Sequence, residues 1–118
     1  MSKLTEVFIS GERDRRECVI GAEHELLCLD RSNRVPGYEG RSGIATVLKE
    51  LAVALGWQHT VEADQVIGLK GPTASVTLEP GGQLELAGSP SHDLHTVAEE
   101  VRTFHTVLSQ IAKPLGLS

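Results

Sequence analysis

An α+β fold, in which an antiparallel sheet carries helices on one face, is the class this sequence predicts, and three observations predict it. Apolar residues step by three and four along Leu94, Val97, Val101, Phe104, Leu108, Ile111 and Leu115. The same spacing runs through Ile44, Val47, Leu48, Leu51, Ala52 and Leu55, so both segments read as helices with one buried stripe. Between them lie three or four short strands, Trp57 to Glu62, Val66 to Lys70, Ser75 to Glu79 and Gln83 to Ala87. Their separators, Ala63-Asp64, Gly71-Pro72 and Pro80-Gly81-Gly82, are turn chemistry of a length that suits antiparallel hairpins.

The elements follow in order. Leu4, Val7 and Phe8 fall at i, i+3 and i+4, which predicts a short opening helix capped by Ser2 and stopped by Gly11. The stretch from Gly11 to Glu17 is a polar connector. From Cys18 to about Leu29 no helical stripe fits, and Glu23 and Glu25 stand two apart, so the text reads as one long strand. Asp30 to Arg34 is a turn and Pro36-Gly37 continues the loop. Ser42 is the expected cap of the second helix, and Gly56 ends it. Asp93 or Ser91 caps the last helix, which Pro114 and Gly116 close. No repeat, low-complexity segment or linker interrupts the chain, so residues 1–118 are read as a single domain.

Composition narrows the function. Of 118 residues, 40% are hydrophobic, and with 12 glycines the apolar share is that of an ordinary globular domain. Eleven Lys and Arg against sixteen Asp and Glu leave a net charge of −5, which argues against a sequence-independent nucleic-acid binder. No apolar run approaches the roughly 20 residues of a membrane span, and the start MSKLTEVFISGERDRRE has no apolar signal core. A cytoplasmic protein without a membrane partner is the expectation. Cys18 and Cys28, on one extended strand, would be about 33 Å apart, so they are read as small buried apolar residues rather than a disulfide.

Two acidic clusters fall inside strands. In Gly21-Ala-Glu23-His24-Glu25 the two glutamates project to one face, with Ala22, His24 and Leu26 on the other. In Leu78-Glu79-Pro80-Gly81-Gly82-Gln83-Leu84-Glu85-Leu86, Gln83 and Glu85 share a face by the same rule. Paired carboxylates repel unless a cation lies between them, and a hard divalent ion with oxygen ligands is the usual solution. If the two strands are neighbours, Glu23, Glu25 and Glu85 converge on one metal zone. The alternative is a solvated sheet face with no ligand. His24-Glu-Leu-Leu-Cys28 lacks the second histidine of a zinc-protease helix, and no phosphate-binding G-x-x-x-x-G-K-[ST] loop occurs. Gly81 and Gly82 form a tight turn or a place where backbone N–H groups approach a phosphate.

The segments Ile20-Gly-Ala-Glu23-His-Glu25 and Ser75-Val-Thr-Leu-Glu79-Pro-Gly-Gly-Gln83-Leu-Glu85-Leu-Ala-Gly-Ser-Pro90 strongly resemble the glutamate–cysteine ligase family of the plant and proteobacterial type. The helix ending in Gly56-Trp57 and the Leu94-His95 pair fit that family's order. Leu26 and Leu27 stand where the family usually has a lysine and an aromatic. The resemblance implies a glutamine-synthetase-like catalytic fold, of which this chain is an N-terminal segment. It implies ATP-dependent joining of the glutamate γ-carboxylate to the cysteine amine through an acyl phosphate, the first step of glutathione biosynthesis. By that resemblance Glu23, Glu25 and Glu85 are metal ligands for Mg2+. Glu79 and Gln83 are catalytic residues on the substrate side, and Gly81 and Gly82 approach ATP. Glutamate, cysteine and ATP are the implied partners, with a homodimer or association with the missing C-terminal part. A metal- or nucleotide-binding module without turnover, or a structural partner subunit, are the other readings.

Overall fold

The computed structural model describes residues 2–118, which form one five-stranded sheet and three α-helices. The helices are α1 (Lys3–Gly11), α2 (Ile44–Leu55) and α3 (Leu94–Ala112). The strands are β1 (Glu23–Leu27), β2 (Gln58–Glu62), β3 (Gln65–Lys70), β4 (Ser75–Glu79) and β5 (Gln83–Ala87). They lie in the order β1-β5-β4-β3-β2, with every neighbour antiparallel. Strands β2 to β5 are a run of hairpins, while β1 precedes α2 in the chain and pairs with the last strand of the run. The α+β class and the antiparallel sheet are as the sequence predicts.

Alternation divides the sheet into two unlike faces. Leu69, Val76, Leu84 and Leu86 point to one side and are at most 1% exposed. Onto them pack Ile44, Val47, Leu48, Leu51 and Ala52 of α2, and Phe104, Leu108 and Ala112 of α3, as one continuous core. The capping is local chemistry. Asp93 accepts a hydrogen bond from the Thr96 N–H at 2.9 Å, and the Gly56 N–H reaches back to the Ala52 and Val53 carbonyls to close α2. At the β2–β3 turn, Ala63 and Asp64 both take positive φ (46° and 63°), the mirror-image turn that matches strand twist. The Gly71 backbone, at the β3–β4 turn, lies flat against the Trp57 indole. A Cβ there would stand 2.5 Å from the ring, so only glycine fits.

Several expectations need correction. The long strand read from Cys18 to Leu29 contracts to Glu23–Leu27, because β5 offers partners only along that stretch; Ile20 makes an isolated bridge to Ser91. Cys18 lies outside the strand and is exposed, and only Cys28 is buried. The α2 cap is Gly43, not Ser42; the Ser42 hydroxyl instead donates to the Leu115 carbonyl at 2.7 Å, tying the start of α2 to the 3-10 turn that follows α3. Trp57 precedes β2 rather than opening it. Leu94, read as the first core residue of α3, is 68% exposed.

The largest departure is α1, which forms where expected with Ser2 as its cap but buries no residue. Leu4, Val7 and Phe8 are 69%, 66% and 71% exposed, so only α2 and α3 cover the sheet. The Cα radius of gyration of 17.1 Å exceeds the roughly 13–14 Å of a compact domain this long, as an outlying helix requires. Among the described residues no helix is long and apolar enough to cross a membrane.

This packing sets a simple contrast. Leu48→Ala, at a position with no exposed surface, should lower the unfolding free energy by about 2–5 kcal/mol. Val53→Ala, on the same helix but 81% exposed, should change it by less than about 0.5 kcal/mol. Urea unfolding followed by circular dichroism measures both, and equal losses would contradict the assignment of the α2 core face.

Candidate functional site

Among the described residues no helix covers the sheet face away from α2 and α3, and the acidic residues lie there. The register sets Glu25 of β1 directly opposite Glu85 of β5, with Thr77 of β4 on the other side of Glu85. One step along, Gln83 stands between Leu27 and Glu79; one step the other way, Ala87 stands between Glu23 and Ser75. Glu23, Glu25, Glu79, Gln83 and Glu85 therefore share one face of three adjacent strands. The condition set at the level of sequence, that the two acidic strands be neighbours, is met.

The closeness of Glu25 and Glu85 follows from ladder geometry. The Gly88 N–H donates to the Ala22 carbonyl at 2.8 Å, so in the antiparallel pattern residues 22, 24 and 26 bond to β5. Glu25 and Glu85 are then a non-hydrogen-bonded pair, the type whose side chains lie closer together. Like charges in that position destabilise a sheet. The electrostatics reflect it. Partial burial first, then the charges of Glu23, Glu79 and Glu25, hold the Glu85 carboxyl above the usual glutamate range. A hydrogen bond with Glu25 acts in the same direction. The Gln83 side-chain amide donates to the Glu25 carboxylate at 2.8 Å, which fixes one oxygen of the pair.

Among the described residues no Lys or Arg forms an ion pair with these carboxylates. Among the described residues the ion pairs are Arg34 with Asp30 and Arg102 with Glu99, both elsewhere. Lys70 lies on the same face by register, but β4 and β5 separate it from β1, a lateral distance of about 14 Å. A carboxylate set with only oxygen donors, Glu23 and Glu25 exposed and Glu79 and Glu85 half-buried, suits a hard divalent ion. Its members are not drawn together: among the described residues no three His, Cys, Asp or Glu side chains stand close enough to hold a metal as they are.

The β4–β5 connection is a single 3-10 turn over Pro80–Gly82, not a two-residue hairpin loop. Gly81 and Gly82 have φ of 81° and 83°, conformations that side chains rarely adopt, which turns the chain sharply between Glu79 and Gln83. A cleft of about 320 Å³ opens beside them, lined by Val35, Pro36, Tyr38, Leu78, Glu79, Gly81 and Gly82. The Tyr38 hydroxyl donates to the Val66 carbonyl at 3.1 Å and fixes one wall. Every singled-out site residue thus lies on the open face or at its rim. Thr77, Tyr38 and Lys70 join them only through the register and the fold, which no local motif signals.

Comparison with known proteins bears on the whole of this arrangement. The profile of glutamate–cysteine ligase family 2 matches residues 19–118. The chain is 33% identical over 114 residues to the chloroplastic glutamate–cysteine ligase of Brassica juncea, a match covering 97% of this chain and 22% of that protein. It is 34% identical over 115 residues to the enzyme of that name from Nicotiana tabacum, and 33% identical over 114 residues to that of Arabidopsis thaliana. In both cases the match again covers 97% of this chain and 22% of the relative. The chain therefore spans about a fifth of the length of these relatives.

The charge crowding has a measurable sign. A carboxyl whose folded-state pKa is raised destabilises the fold when ionised, so stability is lost as pH rises through the carboxylate range and is regained below it. Glu85→Gln in metal-free buffer should accordingly raise the urea midpoint at neutral pH. The gain should vanish in acid below the ordinary glutamate pKa, where both forms are neutral. A variant less stable than the parent at neutral pH would show that the carboxylates are not in electrostatic conflict.

Proposed function

Because the chain belongs to glutamate–cysteine ligase family 2, we propose that it is the part of an ATP-dependent carboxylate–amine ligase that carries the acidic sheet face. The supporting observation is the convergence of Glu23, Glu25, Glu79 and Glu85 on one uncovered face. The Gln83 amide donates to the Glu25 carboxylate there, and among the described residues no Lys or Arg forms an ion pair with these glutamates. The reaction in this reading joins the glutamate γ-carboxylate to the cysteine amine through an acyl phosphate, as the opening step of glutathione formation. Glutamate, cysteine and ATP are its substrates, and the sheet is one portion of a glutamine-synthetase-like fold.

Glu23, Glu25 and Glu85 would hold Mg2+, which when bound supplies neutralising charge for a transferring phosphoryl group. The rest of the work falls to the chain itself. Glu79 and Gln83, at the two ends of the Pro80–Gly82 turn, face the substrate side. There Gln83 offers an amide able to donate to one group and accept from another. Positive φ at Gly81 and Gly82 leaves the backbone bare of side chains, so a phosphate can approach peptide N–H groups in the manner of an anion nest. The α2–α3 layer keeps the sheet rigid behind these groups, which matters because misplacing a reacting group by about 1 Å can cost on the order of a hundredfold in rate. The cytoplasmic setting stays part of the reading, while the relatives named above are chloroplastic proteins.

Two measurements test it. Mg2+ titrated into the purified chain should raise its melting temperature, and Glu23→Gln or Glu85→Gln should remove most of that rise. No rise in the parent chain would overturn the metal assignment. Incubated with ATP, glutamate, cysteine and Mg2+, the 118-residue chain alone should form no γ-glutamylcysteine by mass spectrometry, since it carries only part of the constellation catalysis needs. Product that depends on all three substrates and is lost in Glu85→Gln would show instead that this segment is sufficient.

A further inference from the structure

We propose that the groove at Gly68 is a subsite for the carboxylate of an α-amino-acid substrate, with Lys70 as the residue that selects it. Two cross-strand rows carry the argument. In the first, Thr60, Gly68, Thr77, Glu85 and Glu25 stand side by side across all five strands. In the second, Gln58, Lys70, Ser75, Ala87 and Glu23 do the same. The open face is therefore acidic over β1 and β5 and carries a cation over β3. Between them it is low, because Gly68, Thr77, Ser75 and Ala87 are all small.

The low ground is built into the backbone. A Cβ at Gly68 would collide with the carbonyl oxygen of Val76 on β4, so this strand position offers no side chain. A groove of about 410 Å³ lies there, lined by Thr60, Gly68, Lys70, Thr73, Ser75 and Thr77 among others. Its whole lining falls between Thr60 and Thr77, within three neighbouring strands and one turn. The Thr73 and Ser89 hydroxyls are tied to each other at 2.7 Å. Thr60, Ser75 and Thr77 bring further hydroxyls, each able to donate to an oxyanion. Among the described residues Lys70 forms no ion pair, so its ammonium is free to bind an anion.

Charge and length choose the occupant. β3 and β5 are two strand spacings apart, about 10 Å. The side chains of Lys70 and Glu85 take up part of that span, and the remainder suits a ligand the size of an amino acid. A zwitterion matches both ends, with its carboxylate at Lys70 and its ammonium toward the glutamates. A bare triphosphate laid the same way meets the acidic strands with like charge. An ammonium and hydroxyls together give a carboxylate charge-assisted hydrogen bonds, the stronger kind. The assignment rests on the ligase reading, in which two amino acids are substrates, and the group recognised is the α-carboxylate they share.

The probes are glutamate and cysteine, their counterparts without the α-carboxylate (γ-aminobutyrate and cysteamine) and inorganic phosphate. Each is titrated into the isotope-labelled chain in metal-free, reducing buffer and followed by amide chemical shifts. Gly68, Lys70 and Thr77 should move saturably with an amino acid, and the tighter of the two names the source. Its counterpart without the α-carboxylate should bind at least about tenfold more weakly. Lys70→Gln, at an exposed position, should weaken binding by a similar factor with the melting temperature kept, and Lys70→Arg should restore most of it. No saturable shift with either amino acid, equal binding of the compounds lacking the carboxylate, or tighter binding of phosphate would each overturn the subsite. Amino-acid binding retained without any Mg2+-induced rise in melting temperature would uphold it and count against the metal assignment alone.

Discussion

The register between β1 and β5 is the constraint on which the rest of this structure depends. It joins a strand that precedes α2 to the last strand of the hairpin run, and no turn of fixed length enforces it. What enforces it is burial. Leu26 meets Leu84 and His24 meets Leu86 on the helix side, so a slip of one residue would drive Glu23 and Glu25 into the apolar layer. The cost of burying a carboxylate is far larger than that of leaving two of them opposed in water, so the Glu25–Glu85 opposition is the lesser penalty. The hydrophobic layer thus holds an arrangement of charge that the charges alone would not choose.

That division of labour recurs through the molecule. Every large, fully buried side chain lies between the sheet and the α2–α3 layer, and every residue with candidate chemistry lies on the opposite face or at its rim. Local polar ties keep the two layers in register. Ser42 joins the start of α2 to the turn after α3, and both oxygens of Glu100 accept from the Ser89 N–H, at 3.0 and 2.9 Å, just after β5. A Cβ at Gly88 would lie 2.5 Å from the Glu100 carboxylate, so a larger residue there would push that carboxylate off the Ser89 N–H. The turn that carries the chain from the acidic strand to the covering helix is in this way clamped from the helix side.

How much of this was legible in the sequence depends on the range of the interaction. Ser75–Glu79 and Gln83–Ala87 were readable to the residue, because period-two alternation and the Pro-Gly-Gly punctuation are both local. The stripes of α2 and α3 were readable for the same reason. The ends of β1 were not, since a strand extends only as far as a partner accompanies it, and that partner lies far along the chain. Ser42 carried the right chemistry for a cap but was recruited by Leu115, a contact no spacing announces. In α1, Leu4, Val7 and Phe8 form a helical stripe that meets no core; amphipathic spacing establishes a helix without saying what it packs against. Of the candidate site, the identities of the acidic residues were legible and their meeting across two strands was conditional on topology.

The fit of Trp57 against Gly71 has an optical consequence. The chain contains one tryptophan, so its fluorescence comes from a single place, the turn between β3 and β4 next to the edge strand β2. Emission maximum and quenching there report the local polarity of an indole pressed against backbone on one side. The opposite edge of the sheet, with Glu23 and Glu25, lies four strand spacings away, about 19 Å. Any spectral change on loading the acidic side is therefore not a contact effect. It measures how far a change in sheet twist travels across five strands, with no label attached.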